Sequence, residues 1–322
     1  KRVDDVALLD QELIGERFQS VADIGEKDLS VKLKAPRMRP ILERFGPRDE
    51  EENFSSAQSF TKGGLANAWG AGLMRYTADE LGEFPVSVRE LDPVFDRLTE
   101  HIGISGSVSD DLSRYFGSTT ALLPELGLSE LGRRFLSRYQ GKREMLNNHG
   151  VWVGRPRLGV LSVAHRGRPA FEDFGAEFFS PLNPGIYSPA FTIDELINSS
   201  RLDYRPNVRV ERVADVGGHV EIRARDLIAG EELVFRAKQL ILAAGTINTA
   251  RIVLASRGDI SSRLPLLDNP VSFMPLIDFG RIGIQLRPDC YLGAELILLF
   301  RTAGYSLPIQ GSLYSLLGPL RT

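Results

Sequence analysis

The chain has 322 residues, 43% of them hydrophobic, enough to bury a sizeable core in one large or two ordinary domains. Its 39 basic and 42 acidic side chains are interspersed and leave a formal charge of -3, so there is no electrostatic footprint for nucleic acid or an anionic membrane, and a small-molecule ligand is expected. A single cysteine, Cys290, excludes an internal disulfide and a multi-cysteine metal site and reads as a small buried hydrophobe; no apolar run is long enough to span a bilayer.

In chain order, Val6 to Leu9 form a short apolar run that ends in Asp10. That is the pattern of the strand in dinucleotide-binding folds whose terminal acid sits near a ribose hydroxyl, although a solvated strand-end carboxylate explains Asp10 equally well. Such folds place a first strand and a Gly-x-Gly-x-x-Gly turn earlier, and neither precedes Asp10 here. From Gln11 to Asn53 the sequence is polar and irregular, and the charge run Arg48 to Glu52 reads as a solvated loop or helix face.

Thr61 to Gly72 carries four glycines and three alanines around Trp69 and cannot pack a core by itself. A backbone this bare can wrap a flat or phosphorylated ligand, with Asn67 and Trp69 as the groups able to hydrogen-bond or stack; a plain flexible loop is the alternative. Ser87 with Glu90 makes a capping box for a helix to Leu98, whose Leu91, Val94, Phe95 and Leu98 should form a buried stripe. Asn207 to Val213 alternates as a strand and should pair, through a Gly217-Gly218 turn, with His219 to Arg225.

Leu240 to Ala243 read as a strand apolar on both faces, suited to the middle of a parallel sheet. Ala244-Gly245 turn the chain, and Thr246 can cap a helix with Ile247, Ile252, Val253 and Leu254 inward and Arg251 outward. A ligand site belongs at such a strand end, and an ordinary strand-to-helix crossover is the alternative. Alternating apolar residues at Arg281 to Leu286 and Ala294 to Leu299 suit an antiparallel sheet. The four histidines, His101, His149, His165 and His219, stand in surface contexts, and neither a Cys/His metal spacing nor a Gly-x-Ser-x-Gly elbow occurs.

Taken together, Gly63-Gly64-Leu65-Ala66-Asn67-Ala68-Trp69-Gly70, Phe84-Pro85 with its helix, Gly103-Ile104-Ser105-Gly106, and Leu242 through Gly245 to Ser256 resemble, in order and spacing, the glucose-methanol-choline (GMC) family of FAD-dependent oxidoreductases. The resemblance implies an α/β (α+β overall) fold: a Rossmann-like, parallel-sheet FAD-binding domain interleaved with a substrate domain on a mostly antiparallel sheet. On that pattern residues 1–82 and 201–265 bind FAD, while 83–200 and 266–322 build the substrate domain, with strands near Gly154 to Leu158 and Ile186 to Pro189.

It further implies cofactor contacts from Asp10, Gly63, Gly64, Asn67, Ala68, Trp69, Gly70, Val210 (at the adenine), Ala244 and Gly245. The flavin should be non-covalent, because Ala68 stands where some relatives carry the linking histidine. An alcohol or sugar would be oxidised by hydride transfer to flavin, with the electrons passing to an acceptor the sequence does not identify. The family's catalytic histidine lies in a late His-x-x-Gly-Thr-like segment, expected beyond Thr322, so the chain as written is expected to lack activity and to hold FAD poorly. A lyase on the same fold and a non-catalytic flavin-fold protein are the alternatives. Lys62, Leu65, Ala66, Ala250 and Arg257 depart from the family's signatures and point to a divergent branch.

Overall fold

The computed structural model describes residues 58–82, 84–117, 121–172, 183–259, 261–267 and 293–314, together with 272, 274, 276, 279–282 and 284. Asp10, the Val6 to Leu9 run and Cys290 lie outside the described residues. The chain divides into two compact units, one of Lys1–Glu195 with Leu286–Thr322 and one of Leu196–Gln285.

In the first unit a one-turn helix α1 (Ala78–Leu81) precedes the longer α2 (Val88–Ile102). The Ser87 hydroxyl accepts from Glu90 N at 3.3 Å and the Glu90 carboxylate accepts from Ser87 N at 2.8 Å, so the expected capping box forms. The expected stripe is corrected. Leu91 and Phe95 are half-buried, but Val94 and Leu98 are 39% and 45% exposed, and the buried positions are Thr99 and Ile102. The helix is seated by its last turn, and Phe95 meets only the Tyr76 ring and the Arg75 guanidinium among the ring contacts of the described residues.

Helices α3 (Glu130–Gln140) and α4 (Arg143–Asn148) lead into β1 (Val151–Gly154), and α5 (Pro189–Asn198) follows later in the chain. β1 pairs antiparallel with β5 (Ala294–Phe300), from Val151↔Phe300 to Gly154↔Ile297, and β5 pairs antiparallel with β6 (Ile309–Tyr314). As the central strand, β5 buries both faces. Ile297 and Leu299 join Leu112, Phe116 and Trp152 on one side, while Leu296 joins Tyr139 and Val153 on the other. A register shift between Ala294 and Leu296 makes Glu295 the extra residue, and its carboxylate accepts from Ser129 N at 2.8 Å, at the start of α3. A bulge re-aims a side chain in this way, and a helix start favours negative charge.

A second set of pairings is built on residues 157–161. Leu73 N donates to Arg157 O at 2.9 Å and Gly159 N to Ala71 O at 2.8 Å; further along the same edge Tyr187 N donates to Gly159 O and Leu161 N to Gly185 O. On the opposite edge Leu158 and Ser105 exchange backbone bonds of 2.9 Å, and Ser105 also bridges Leu123. Gly103 can lie against this segment only because it lacks a side chain: a Cβ there would stand 2.5 Å from Leu161 Cδ2, at a φ of 77°.

The second unit holds β2 (Val208–Val216), β3 (His219–Asp226), β4 (Glu232–Ala237) and α6 (Thr246–Arg257). The hairpin forms as the sequence requires. Gly217 and Gly218 have φ of 60° and 83°, as a type I′ turn demands, and Val216 pairs with His219. One face of the antiparallel sheet pairs Val213 with Ile222 and Ile222 with Phe235, and α6 packs against β2 with Ile252 buried. The other face is an ion-pair ladder in which Glu211 meets Arg209 and Arg225, and Glu221 meets Arg223 and Arg236.

Three expectations differ here. Gly245, not Thr246, is the residue before the helix, and Thr249 Oγ1 accepts from Ala244 N at 3.1 Å. Leu240 to Ala243 is not a strand, and Ile241 is 89% exposed. A parallel strand needs a neighbour for its N–H and C=O groups, and no described strand lies beside it. Arg281 belongs to a short 3-10 turn, Phe279–Arg281, and Ile282 and Ile284 are exposed, so among the described residues of the two late segments only Ala294 to Phe300 form a strand. The architecture of the described residues is therefore α+β with antiparallel sheets, and no helix among them is long and apolar enough to cross a membrane.

Candidate functional site: the glycine loop of the first unit

The sequence-predicted cofactor residues divide between the units. Gly63, Gly64, Asn67, Ala68, Trp69 and Gly70 lie on one loop of the first, while Val210, Ala244 and Gly245 belong to the second. Val210 is half-buried on β2 opposite Ala224, and Ala244 and Gly245 are exposed before α6.

The loop turns at Gly63 and Gly64, with φ of 96° and 60°, and runs into a short 3-10 helix, Gly64–Asn67. A Cβ on Gly63 would stand 2.6 Å from Asn67 Oδ1, so the close approach requires glycine there. Asn67 Nδ2 donates to Lys62 O at 2.9 Å and to Thr61 Oγ1 at 3.2 Å, and its Oδ1 accepts from the Ser188 hydroxyl. Trp69 Nε1 donates to Tyr187 O at 2.9 Å, and its ring meets the Tyr187 ring edge-on at 6.4 Å. The two side chains singled out for ligand contact therefore turn their polar atoms to the protein, and both choose the same neighbouring segment.

Main chain faces outward at Gly64 and Gly70, beside the exposed side chain of Leu65. A Cβ built on Gly64 or on Gly70 would meet nothing within 4 Å. Ala68 and Ala71 are buried beneath. Lys62, one of the departures from the family signature, forms an ion pair with Asp194 on α5 at 2.5 Å.

The segment that receives the loop was not assigned to the site by sequence reasoning, which saw in Ile186 to Pro189 only a weak strand. A signal was present: Ser followed by Pro is a helix start, with Ser at the cap and Pro at the first helical position. Ser188 Oγ accepts from Ala190 N at 3.1 Å in that geometry. Tyr187 is held in turn by its hydroxyl, 2.9 Å from Thr192 Oγ1, which lies 3.2 Å from His101 Nε2.

The other polar clusters are structural. His165 Nε2 donates to Glu100 O at 2.6 Å and His149 Nδ1 to Met145 O at 2.7 Å, so each ties down a helix end. Arg157, nearly enclosed, donates to the carbonyls of Phe116 and Gly117, and burial pushes its pKa down to about 10. Asp111 takes both Nε and Nη2 of Arg143, the Tyr139 hydroxyl and Asn147 Nδ2. The Arg143 hydrogen bonds hold its pKa down at about 2, while burial and then the Asp111 carboxylate push Tyr139 up to about 12. Among the described residues no group of three or more His, Cys, Asp or Glu is placed to hold a metal. No protein-family model matches the chain, and no curated protein matches it.

Proposed function

We propose that the protein is an FAD-dependent oxidoreductase of the GMC type, acting on an alcohol or sugar hydroxyl. The observation that carries the reading is the Thr61 to Gly72 loop, whose outer surface at Gly64 and Gly70 is open backbone and whose side chains serve to hold its shape. Backbone without side chains can be approached closely by a flat ring system, which is what a flavin requires of its seat. The fit is through main chain: Gly63, Gly64 and Gly70 would lie against the cofactor, with Asn67 and Trp69 as their supports and Ala68 buried beneath them. Bound there, a flavin supplies a hydride acceptor for the carbon that bears the substrate hydroxyl.

The test is flavin retention followed by turnover. Protein expressed from its complete gene is purified with added FAD, its visible spectrum is recorded, and dye reduction is followed with a panel of primary alcohols, secondary alcohols and sugars. A flavin spectrum that co-elutes with the protein, and dye reduction by at least one member of the panel, are expected. Protein that retains no flavin and reduces no dye would refute the reading.

A further inference from the structure

Two segments far apart in sequence, Thr61 to Gly70 and Tyr187 to Asp194, meet in antiparallel order. Lys62 Nζ pairs with Asp194 Oδ1 at 2.5 Å, a Cβ on Gly63 would stand 3.1 Å from Ala190 N, Ser188 donates to Asn67 Oδ1, and Trp69 Nε1 donates to Tyr187 O at 2.9 Å. Ser188 is the most enclosed polar side chain of this seam, 3% exposed. Its hydroxyl has two duties: it accepts from Ala190 N at 3.1 Å, which caps α5, and it donates to Asn67.

The direction of the second bond is fixed by what surrounds Asn67. The Lys62 carbonyl, 2.9 Å away, can only accept, so the amide NH2 must face it and the amide oxygen must face Ser188. The Ser188 proton thus holds the oxygen end of the Asn67 amide while the Lys62 carbonyl holds its NH2, and the Asn67 amide closes the turn at Gly63-Gly64. We propose that Ser188 is a positioning residue for the glycine loop, holding Gly63 and Gly64 in the conformation that receives the ligand. The identity of that ligand rests on the flavin reading above; the holding of the loop does not.

The test compares Ser188→Ala and Ser188→Thr with the wild-type protein by three readouts: tryptic cleavage of the Lys62–Gly63 bond, FAD dissociation rate and Tm. Ser188→Ala is expected to raise both cleavage and flavin dissociation by roughly tenfold, the equilibrium weight of one hydrogen bond to a buried partner, and Ser188→Thr to restore both. A Ser188 that only caps α5 would lower Tm in the alanine variant and leave cleavage and flavin dissociation where they were, which overturns the proposal. Faster cleavage with unchanged flavin dissociation also overturns it, because the loop would then be held without benefit to the ligand. If Ser188→Ala does not fold, Asn67→Ala, which leaves the α5 cap intact, must show the same two increases. Wild-type protein that retains no FAD refutes the flavin reading, and cleavage at Lys62 then decides alone whether Ser188 holds the loop.

Discussion

Asn67 shows how a residue type can point to the right place for an incomplete reason. Its amide makes three hydrogen bonds inside the protein, to Thr61, Lys62 and Ser188, so Asn67→Leu removes loop support whether or not a ligand is present. A cost of about 1–3 kcal/mol is expected, seen as a fall of roughly 2–10 °C in Tm, and flavin retention should weaken with it. An unchanged Tm together with unchanged flavin content would return the loop to a merely flexible connection. Gly103 makes a sharper case. Alanine there must adopt a φ of 77° and place Cβ 2.5 Å from Leu161 Cδ2 and 2.7 Å from His165 Cδ2. Left-handed backbone costs roughly 1–2 kcal/mol and overpacking about 1–3 more, so Gly103→Ala should lose about 2–5 kcal/mol in chemical denaturation. A loss below 1 kcal/mol would show that the segment at Leu161 yields.

At the scale of elements, legibility in the sequence followed the range of the interactions. The α2 capping box and the β2–β3 hairpin are decided by residues within a few positions of one another, Ser87 with Glu90 and Gly217 with Gly218, and both formed as read. Gly218→Val should therefore cost about 1–2 kcal/mol because valine resists φ of 83°, while Gly217→Asn should be nearly neutral; equal losses from the two would argue against a type I′ turn. The seating of α2 differs because an apolar stripe states what can be buried, not what arrives to bury it: only its last turn holds fully buried residues. Leu240 to Ala243 has the composition of a sheet interior, but a strand exists only where a neighbour takes its hydrogen bonds. The seam between the glycine loop and the Tyr187 to Asp194 segment was equally hidden, since Asn67 and Ser188 are 121 positions apart.

At the scale of the whole molecule, the dependence of stability on pH that the described residues contribute should be set largely by one cluster. Asp111, 9% exposed, joins α3 through Tyr139 and α4 through Arg143 and Asn147. The other carboxylates with lowered pKa, such as Asp203, Asp226 and Asp259, lie at the surface, where solvent screens them, and contribute little. Asp111 has a folded pKa of about 2 against an ordinary 3.8, so its stabilisation is complete above the ordinary value and disappears as the pH falls through 3.8 towards 2. The full linkage would be on the order of 2 kcal/mol, and the exposure of Arg143 brings it to about 1–2. Tyr139 gives the opposite limb. Its folded pKa of about 12 lies above the ordinary 10, so its share is present below pH 10 and disappears as the pH rises towards 12. Stability should thus be level across neutral pH and fall at both ends. In Asp111→Asn the acid limb should flatten, because the titrating carboxylate is gone, while the alkaline limb should shrink only in part, because burial, the larger cause of the raised Tyr139 pKa, remains; stability at pH 7 should drop by about 1–2 kcal/mol. Urea denaturation of the two proteins at pH 2.5, 7 and 11 measures all three quantities. An acid limb in Asp111→Asn as steep as in the wild type would move the acid sensitivity to other carboxylates, and with it the claim that this cluster fastens α3 and α4 to the rest of the first unit.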